Sequence, residues 1–349
     1  MKISILILVT AFLINCGGTS NKIRTQINTN GREFIINSDT FLIDLTPYVK
    51  PDITISPTHA IKFGDKYYCF FTDQKDSYNK YFFVIKIDGI IDNVIKLPRD
   101  LTECYYLDLF VYRDTIFSKP YMNDKSFYLD LKEMIWKETK EPDDIIYEDN
   151  QYYVTYLNFG EFGSTTWFKN KLSGKEYELA SSGDIIYKVD STFYIISGIK
   201  VLKIDDPLKM KPCDSNYYYQ KVKTSKKHHS GSNSLLGAVP VFQDSTYSYW
   251  ESKEPKLVIS TSFKIGKSLF YLCTDSAVTF IAKLENQKMV PVQNLDKRYS
   301  VYDWLYSYRC KIQKDNFQLL KFDTKQKDKF GFIEIDNNKI NIRYIKLQR

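Results

Sequence analysis

Three stretches of this chain can be laid over one another, and their recurrence constrains the fold more than any other feature. Tyr81 to Gly89 (YFFVIKIDG), Phe280 to Asn286 (FIAKLEN) and Phe330 to Asn337 (FGFIEIDN) are each an apolar strand carrying one charged residue near its end. Each closes in an acidic residue followed by Gly or Asn, the residues that tolerate the positive φ of a tight hairpin. Shorter copies occur at Phe127 to Leu131, Trp167 to Lys169 and Val201 to Asp206. Upstream lies a second recurring piece, a polar turn followed by an aromatic strand. It is found at Asp65-Lys66-Tyr67-Tyr68, Asp114-Thr115-Ile116-Phe117, Asn150-Gln151-Tyr152-Tyr153, Asp190 to Tyr194 and Asp315-Asn316-Phe317. Two copies extend further, Tyr67 to Asp73 (YYCFFTD) resembling Leu269 to Asp275 (LFYLCTD).

The charged markers fall at 86, 130, 169, 203, 283 and 334. An interval of about forty residues, filled by short strands, is the signature of propeller blades. Helical solenoids share that interval, but they need apolar residues at i, i+3, i+4 and i+7, and no long stretch after residue 33 has them. The expected fold is therefore all-β, a β-propeller of six to seven four-stranded blades. Two β-sandwiches or an irregular β-barrel are the alternatives. A seventh blade would occupy 207–255, a stretch that reads otherwise as a loop insertion because Lys221 to Asn233 is polar. Glu33 to Leu45 (EFIINSDTFLIDL) precedes the first clear unit and is expected to pair into the last sheet and close the ring. The 28 Tyr and 23 Phe against 14 Gly fit strands whose pleated faces are covered by neighbouring sheets.

The first fifteen residues read differently. Met1-Lys2 is followed by Ile3 to Ile14, an apolar run interrupted only by Thr10. It is too short to span a bilayer, which takes roughly 20 residues, but it suits a secretory leader. The run ends in Leu13-Ile14-Asn15-Cys16, followed by Gly17-Gly18-Thr19-Ser20. This resembles the lipobox of bacterial lipoproteins, although Asn15 stands where a small residue is preferred. The resemblance implies cleavage before Cys16 and acylation of Cys16, here the lipidation site, with palmitate-type chains. The expected organisation is a signal peptide (1–15), a lipidated polar tether (16–32) and one propeller-like domain (33–349). The expected location is the cell envelope, anchored to a bacterial membrane, by default the periplasmic face of the outer membrane.

Candidate chemistry is sparse. The formal charge of +7 comes from Lys and Asp/Glu interspersed along the chain, a mixed surface that gives no nucleic-acid footprint. Five cysteines remain after Cys16, namely Cys69, Cys104, Cys213, Cys273 and Cys310. Export permits disulfides, yet the number is odd and three of the five sit in apolar strands where buried thiols are common. With no C-x-x-C and only His59, His228 and His229, neither a metal site nor a cofactor is expected. His228-His229 beside Lys226-Lys227 reads as a solvated basic loop rather than an anion or metal site. Glu161 to Trp167 (EFGSTTW) resembles a degraded Asp-box, a hairpin motif of sialidase propellers that marks structure and not catalysis. Asp73, Asp76, Asp143, Asp144, Asp275 and Asp303 stand at strand ends or in loops, where a pair could serve as acid and base. The same position is also ordinary turn chemistry. Trp250 and Trp304 could stack on sugars or lie in the core.

Two functions follow. One is a binding or scaffold module held at the membrane by its lipid and facing an envelope protein or a glycan. The other is an envelope hydrolase or lyase acting on glycans or peptides through paired carboxylates. Convergent carboxylates with aromatic walls near the axis would favour the second.

Overall fold

A computed structural model describes residues 33–348 apart from 121–124, 141–144, 159–162, 182, 184, 214–231, 247–254, 303–316 and 324–329. Its described strands form six sheets arranged as a propeller, each built on an antiparallel meander. Blade 1 is a meander of β2 (Ile55–Phe63), β3 (Lys66–Asp73), β4 (Lys80–Lys86) and β5 (Ile91–Ile95). Blade 2 repeats it with β6 (Leu107–Tyr112), β7 (Thr115–Pro120), β8 (Ser126–Asp130) and β9 (Ile135–Thr139). Between the two, the short helix α1 (Arg99–Thr102) buries Leu101. Blade 3 holds β10 (Ile145–Glu148), β11 (Tyr152–Asn158), β12 (Ser164–Asn170) and β13 (Glu176–Ala180). Blade 4 has β14 (Ile185–Val189), β15 (Thr192–Ile196), β16 (Lys200–Ile204) and, after an excursion, β18 (Val239–Gln243). Blade 5 has β19 (Val258–Ile265), β20 (Ser268–Thr274), β21 (Thr279–Glu285) and β22 (Lys288–Asn294). Blade 6 has β23 (Ser300–Tyr302), β24 (Gln318–Asp323), β25 (Phe330–Asp336) and β26 (Lys339–Gln348). First strands of neighbouring blades touch around the axis, β2 against β6 and β14 against both β10 and β19.

All six charged markers of the sequence lie on the third strand of a blade, and the polar-turn motif opens the second. These two strands have neighbours on both edges and blades on both faces, so most of their side chains are buried. In β3 and β4 the run from Tyr67 to Phe71 and the run from Phe82 to Ile85 are buried without interruption. Fourth strands are wetter, and β22 has no buried residue.

No seventh blade occupies 207–255 among the described residues. After β16 the chain makes a 3-10 turn at Pro207–Lys209 and lays β17 (Lys211–Pro212) on the outer edge of blade 3. It returns to blade 4 as β18. This excursion doubles the apparent interval between the fourth and fifth markers.

The ring closes through the N-terminal segment. β1 (Ile35–Asp44) runs parallel to β26, from Ile35 opposite Lys339 to Asp44 opposite Gln348, as a fifth strand of blade 6. Phe34 packs edge-on against Phe270 of blade 5 at 5.0 Å between ring centroids. At the other end Phe41, Ile43 and Leu45 join Phe83 and Ile85 of blade 1 in one buried cluster. The turn after β4 presses on β1 so closely that a Cβ on Gly89 (φ +92°) would sit 3.0 Å from the Leu42 carbonyl oxygen. β1 therefore spans three blades. Burying a side chain such as Phe34 or Phe41 contributes about 1.5–3 kcal/mol.

A buried charge network lies at the same seam. Glu334 of β25 is fully buried and accepts from Arg343 Nε (2.6 Å), from Asn341 Nδ2 (3.2 Å) and from the Tyr67 hydroxyl of blade 1. Lys62 of blade 1 reaches it at 3.4 Å, and Arg343 Nη1 turns to Asp39 of β1 at 2.6 Å. Burial next to Glu334 drives the Tyr67 hydroxyl far above its ordinary range, so it stays a donor. The network ties β1, β25 and β26 to blade 1 with its charges paired.

Candidate functional site

The meander puts second-to-third turns and blade-to-blade connections at one end of the ring, the upper face. A groove of about 280 Å³ opens there between blades 3 and 4. Its lining includes Ser164 at the start of β12, Ser181 after β13, Ser197 and Lys200 around the turn of blade 4, and Ser232 of the excursion. Gly183 fits because any Cβ would strike Ile195 Cγ2 at 2.3 Å. The excursion forms the outer wall and is fastened to blade 3. Ser232 donates its N–H to Thr165 Oγ1 (2.6 Å) and its hydroxyl to Glu178 Oε1 (3.0 Å), and Ala180 N–H donates to the Ser234 carbonyl (2.7 Å). Lys211 Nζ pairs with Glu178 at 2.7 Å. Most of the groove's hydroxyls are already engaged: Ser181 Oγ accepts Gly183 N–H and Ser197 donates to the Lys200 carbonyl. What remains is a small recess of mixed lining, with Ile195, Leu202 and Leu235 beside the serines and one cationic side chain, lacking a nucleophile–base pair among its described residues.

A second groove, about 410 Å³, lies at the lower end between blades 2 and 3. Tyr112, Arg113, Asp114, Ile146, Tyr147 and Glu148 are among its lining. Its carboxylates serve ion pairs and turns: Glu148 pairs with Lys171 at 2.7 Å, and the adjacent Asp149 with Lys188 at 2.7 Å.

Of the acids expected from sequence at strand ends or in loops, Asp73 and Asp76 share the connection between β3 and β4, while Asp275 stands apart at the end of β20. Asp73 accepts the Lys75 N–H (3.0 Å) and the Asn79 amide (3.4 Å), and Asp76 accepts the Tyr78 N–H (3.0 Å). Asp275 accepts the N–H groups of Ala277 and Val278 at 2.7 and 2.8 Å. Each carboxylate closes its own turn, Asp73 and Asp76 in blade 1 and Asp275 in blade 5. Asp143, Asp144, Asp303, Trp250, Trp304, His228, His229, Cys310 and Cys16 lie outside the described residues. Cys69, Cys104, Cys213 and Cys273 are free thiols. Burial pushes the Cys69 and Cys273 thiols up, and burial with the nearby Glu178 and Glu176 does the same to Cys213, so none is a reactive thiolate. Among the described residues no group of three metal-ligating side chains converges.

The Asp-box-like segment enters β12 through Gly163, whose φ is +86°, and carries Thr165, Thr166 and Trp167 into the buried sheet. His59 occupies a bulge in β2, edge-on to Phe70 at 6.4 Å. Burial lowers its pKa to about 3, helped by Lys321 and Lys80. Lys80 itself donates to the carbonyls of Thr102 (2.9 Å) and Cys104 (2.5 Å). The serine groove carried no signal in the sequence, because its members come from four separate turns and none stands in a motif.

No family model matches the chain, and no curated protein matches it. Solved structures are similar in fold at very low identity. A puromycin-hydrolyzing peptidase of Mycobacterium tuberculosis aligns at 8% identity and a TM-score of 0.40 over 81% of this chain. Hsv2 of Kluyveromyces lactis aligns at 9% and 0.33, covering 81% of this chain and 76% of its own. A quinonprotein alcohol dehydrogenase-like protein of Bacteroides thetaiotaomicron aligns at 9% and 0.31 over 84% of this chain. This chain spans 44% of the peptidase's length and 66% of the quinonprotein-like chain's.

Proposed function

We propose that this chain is a membrane-anchored binding or scaffold module of the cell envelope, with the propeller as its rigid body and Cys16 as its anchor. The observation that carries the binding reading is the use of the described acids. Asp73, Asp76 and Asp275 each accept a backbone N–H of their own turn through Oδ1, which is turn chemistry and the basis for reading them as folding groups and not as an acid–base pair. A closed ring with a pinned seam is a preorganised platform, which lowers the entropic cost of engaging a partner. The serine groove between blades 3 and 4 offers that partner a small recess on the upper face. The leader and Leu13-Ile14-Asn15-Cys16 support the anchor: two or three acyl chains hold a protein stably, at about 0.8 kcal/mol per buried CH₂.

Two measurements test the reading. Palmitate should label the wild-type chain and not Cys16→Ser; labelling of Cys16→Ser would defeat the anchor. Capture from detergent-solubilised envelope should recover a partner that Ser232→Trp, which fills the groove, no longer holds. A glycan array on the soluble body decides whether that partner is a polymer. Hydrolysis of an envelope glycan or peptide by the purified body would defeat the scaffold reading.

A further inference from the structure

We propose that the lower rim of blades 1 to 4 rests on an anionic bilayer surface, with aliphatic side chains of its hairpin tips entering the headgroup layer. The turns that leave the third strands all lie at this end of the ring. Blade 1 presents Ile87 and Ile90 there, 51% and 57% exposed, and blade 2 presents Leu131. Blade 3 presents Leu172, 98% exposed, and blade 4 presents Leu208, with Leu236 of the excursion also exposed. Hairpin tips facing only water need no such residues. Those of blades 5 and 6 have none, being Asn286-Gln287 and Asn337-Asn338.

Each apolar tip also carries an exposed lysine: Lys86, Lys132, Lys175 and Lys209. The acids of the same turns, exposed Asp88, Glu133 and Asp205 among them, are engaged in local hydrogen bonds and ion pairs. Asp88 accepts the Ile90 N–H, Asp130 accepts the Lys132 N–H and pairs with Lys137, and Asp206 accepts the Leu208 N–H. Glu133 is held by Lys137 at 2.8 Å, and Lys86 contacts Asp92 at 3.1 Å. An aliphatic side chain flanked by lysine is the pairing that suits a headgroup layer, where the alkyl part inserts and the ammonium meets lipid phosphate.

The path of the chain supplies an independent reason. Ile35 begins β1 beside Lys339, at the lower end of β26, so the described chain enters the body from this same end. A tether starting at Cys16 would hold this end, and not the serine groove, towards the membrane. That second argument rests on the anchoring reading, whereas the composition of the tips does not.

Residues 17–349 contain all six blades and β1, and therefore the whole fold without leader or acyl group. This body should float with phosphatidylglycerol vesicles and much less with phosphatidylcholine vesicles. Ile90→Ser, Leu172→Ser and Leu208→Ser together should reduce the bound fraction at least about tenfold with an unchanged melt, since all three side chains are exposed. Lys132→Glu, Lys175→Glu and Lys209→Glu together should abolish the preference for phosphatidylglycerol. The proposal is overturned by a body that floats with neither vesicle or by a serine variant that floats like wild type. A self-association of the body that the serine variant loses, with no vesicle binding, overturns it equally. Palmitate labelling at Cys16 is read separately on the full chain, so the anchor and the rim can fail independently.

Discussion

Glu334 stands where four of the other five third strands carry a lysine, and its burial explains the difference. In blade 6 alone the sheet is extended by β1, which brings Asp39 to Arg343 of β26, the partner of Glu334. Removing one partner of a buried network leaves uncompensated charge, at a cost of about 3–5 kcal/mol. Arg343→Ala should therefore lower the melting temperature by roughly 10 °C, whereas Lys169→Ala on the exposed side of blade 3 should change it little. Equal effects would mean the network contributes nothing at the seam. His59 gives a pH-dependent counterpart. Its folded pKa, about 3, lies below the ordinary 6.5, so between those values the unfolded chain takes up a proton that the folded chain refuses. Stability is thus full above pH 6.5 and is lost progressively as the pH falls toward 3, by an amount on the order of a few kcal/mol. The charged groups setting this are Lys321 and Lys80. Melts between pH 7 and pH 4.5 should fall less steeply for His59→Gln than for wild type; parallel slopes would assign the acid sensitivity elsewhere.

At the scale of elements, β1 is the piece whose loss the ring should feel most. It buries Phe41 and Ile43 on the blade 1 side, while the preceding Phe34 fills the blade 5 side. Deleting 33–45 should prevent a cooperative melt, and Phe34→Ala and Phe41→Ala should each cost about 3–5 kcal/mol in the intact chain. A deletion with an unchanged melt would show that the ring closes without it. The pairing of this segment into the last sheet was legible because Glu33 to Leu45 is a strand pattern with no unit of its own. Second and third strands were legible for a related reason: buried on both faces, they keep their aromatic runs, and the turns within the blades keep Asp, Asn or Gly. First and fourth strands escaped notice. The first face the axis and vary with what they meet there, and the fourth are half solvated, as the polar β22 illustrates. The excursion after β16 reads from sequence as either a seventh blade or a loop insertion, because spacing alone cannot distinguish a missing unit from a detour. The serine groove was illegible altogether, since it is assembled from turns of two blades and the detour, with no residue type out of the ordinary.

At the scale of the whole molecule, the described contacts between blades are uneven. Among the described residues, continuous apolar clusters join blade 6 to 1, 1 to 2, 3 to 4, 4 to 5 and 5 to 6. Blades 2 and 3 meet differently. Phe110 stacks with Phe117 at 5.7 Å within blade 2, Trp167 is buried in blade 3, and the groove of about 410 Å³ opens between the two at the lower end. Hydrophobic burial scales with the apolar area taken from water, so this seam should contribute least to holding the ring. The seam between blades 6 and 1 is the opposite case, closed by β1, a deep aromatic cluster and the Glu334 network. Local opening follows the weakest contacts. In native-state hydrogen exchange, peptides covering β6–β7 and β10–β11 should therefore exchange faster, by about tenfold or more, than those covering β3–β4 and β25–β26. Equal protection around the ring would mean that the groove is no weakness. First opening at the seam between blades 6 and 1 would invert the argument, because the strand and the charges that close the ring would then be its loosest part.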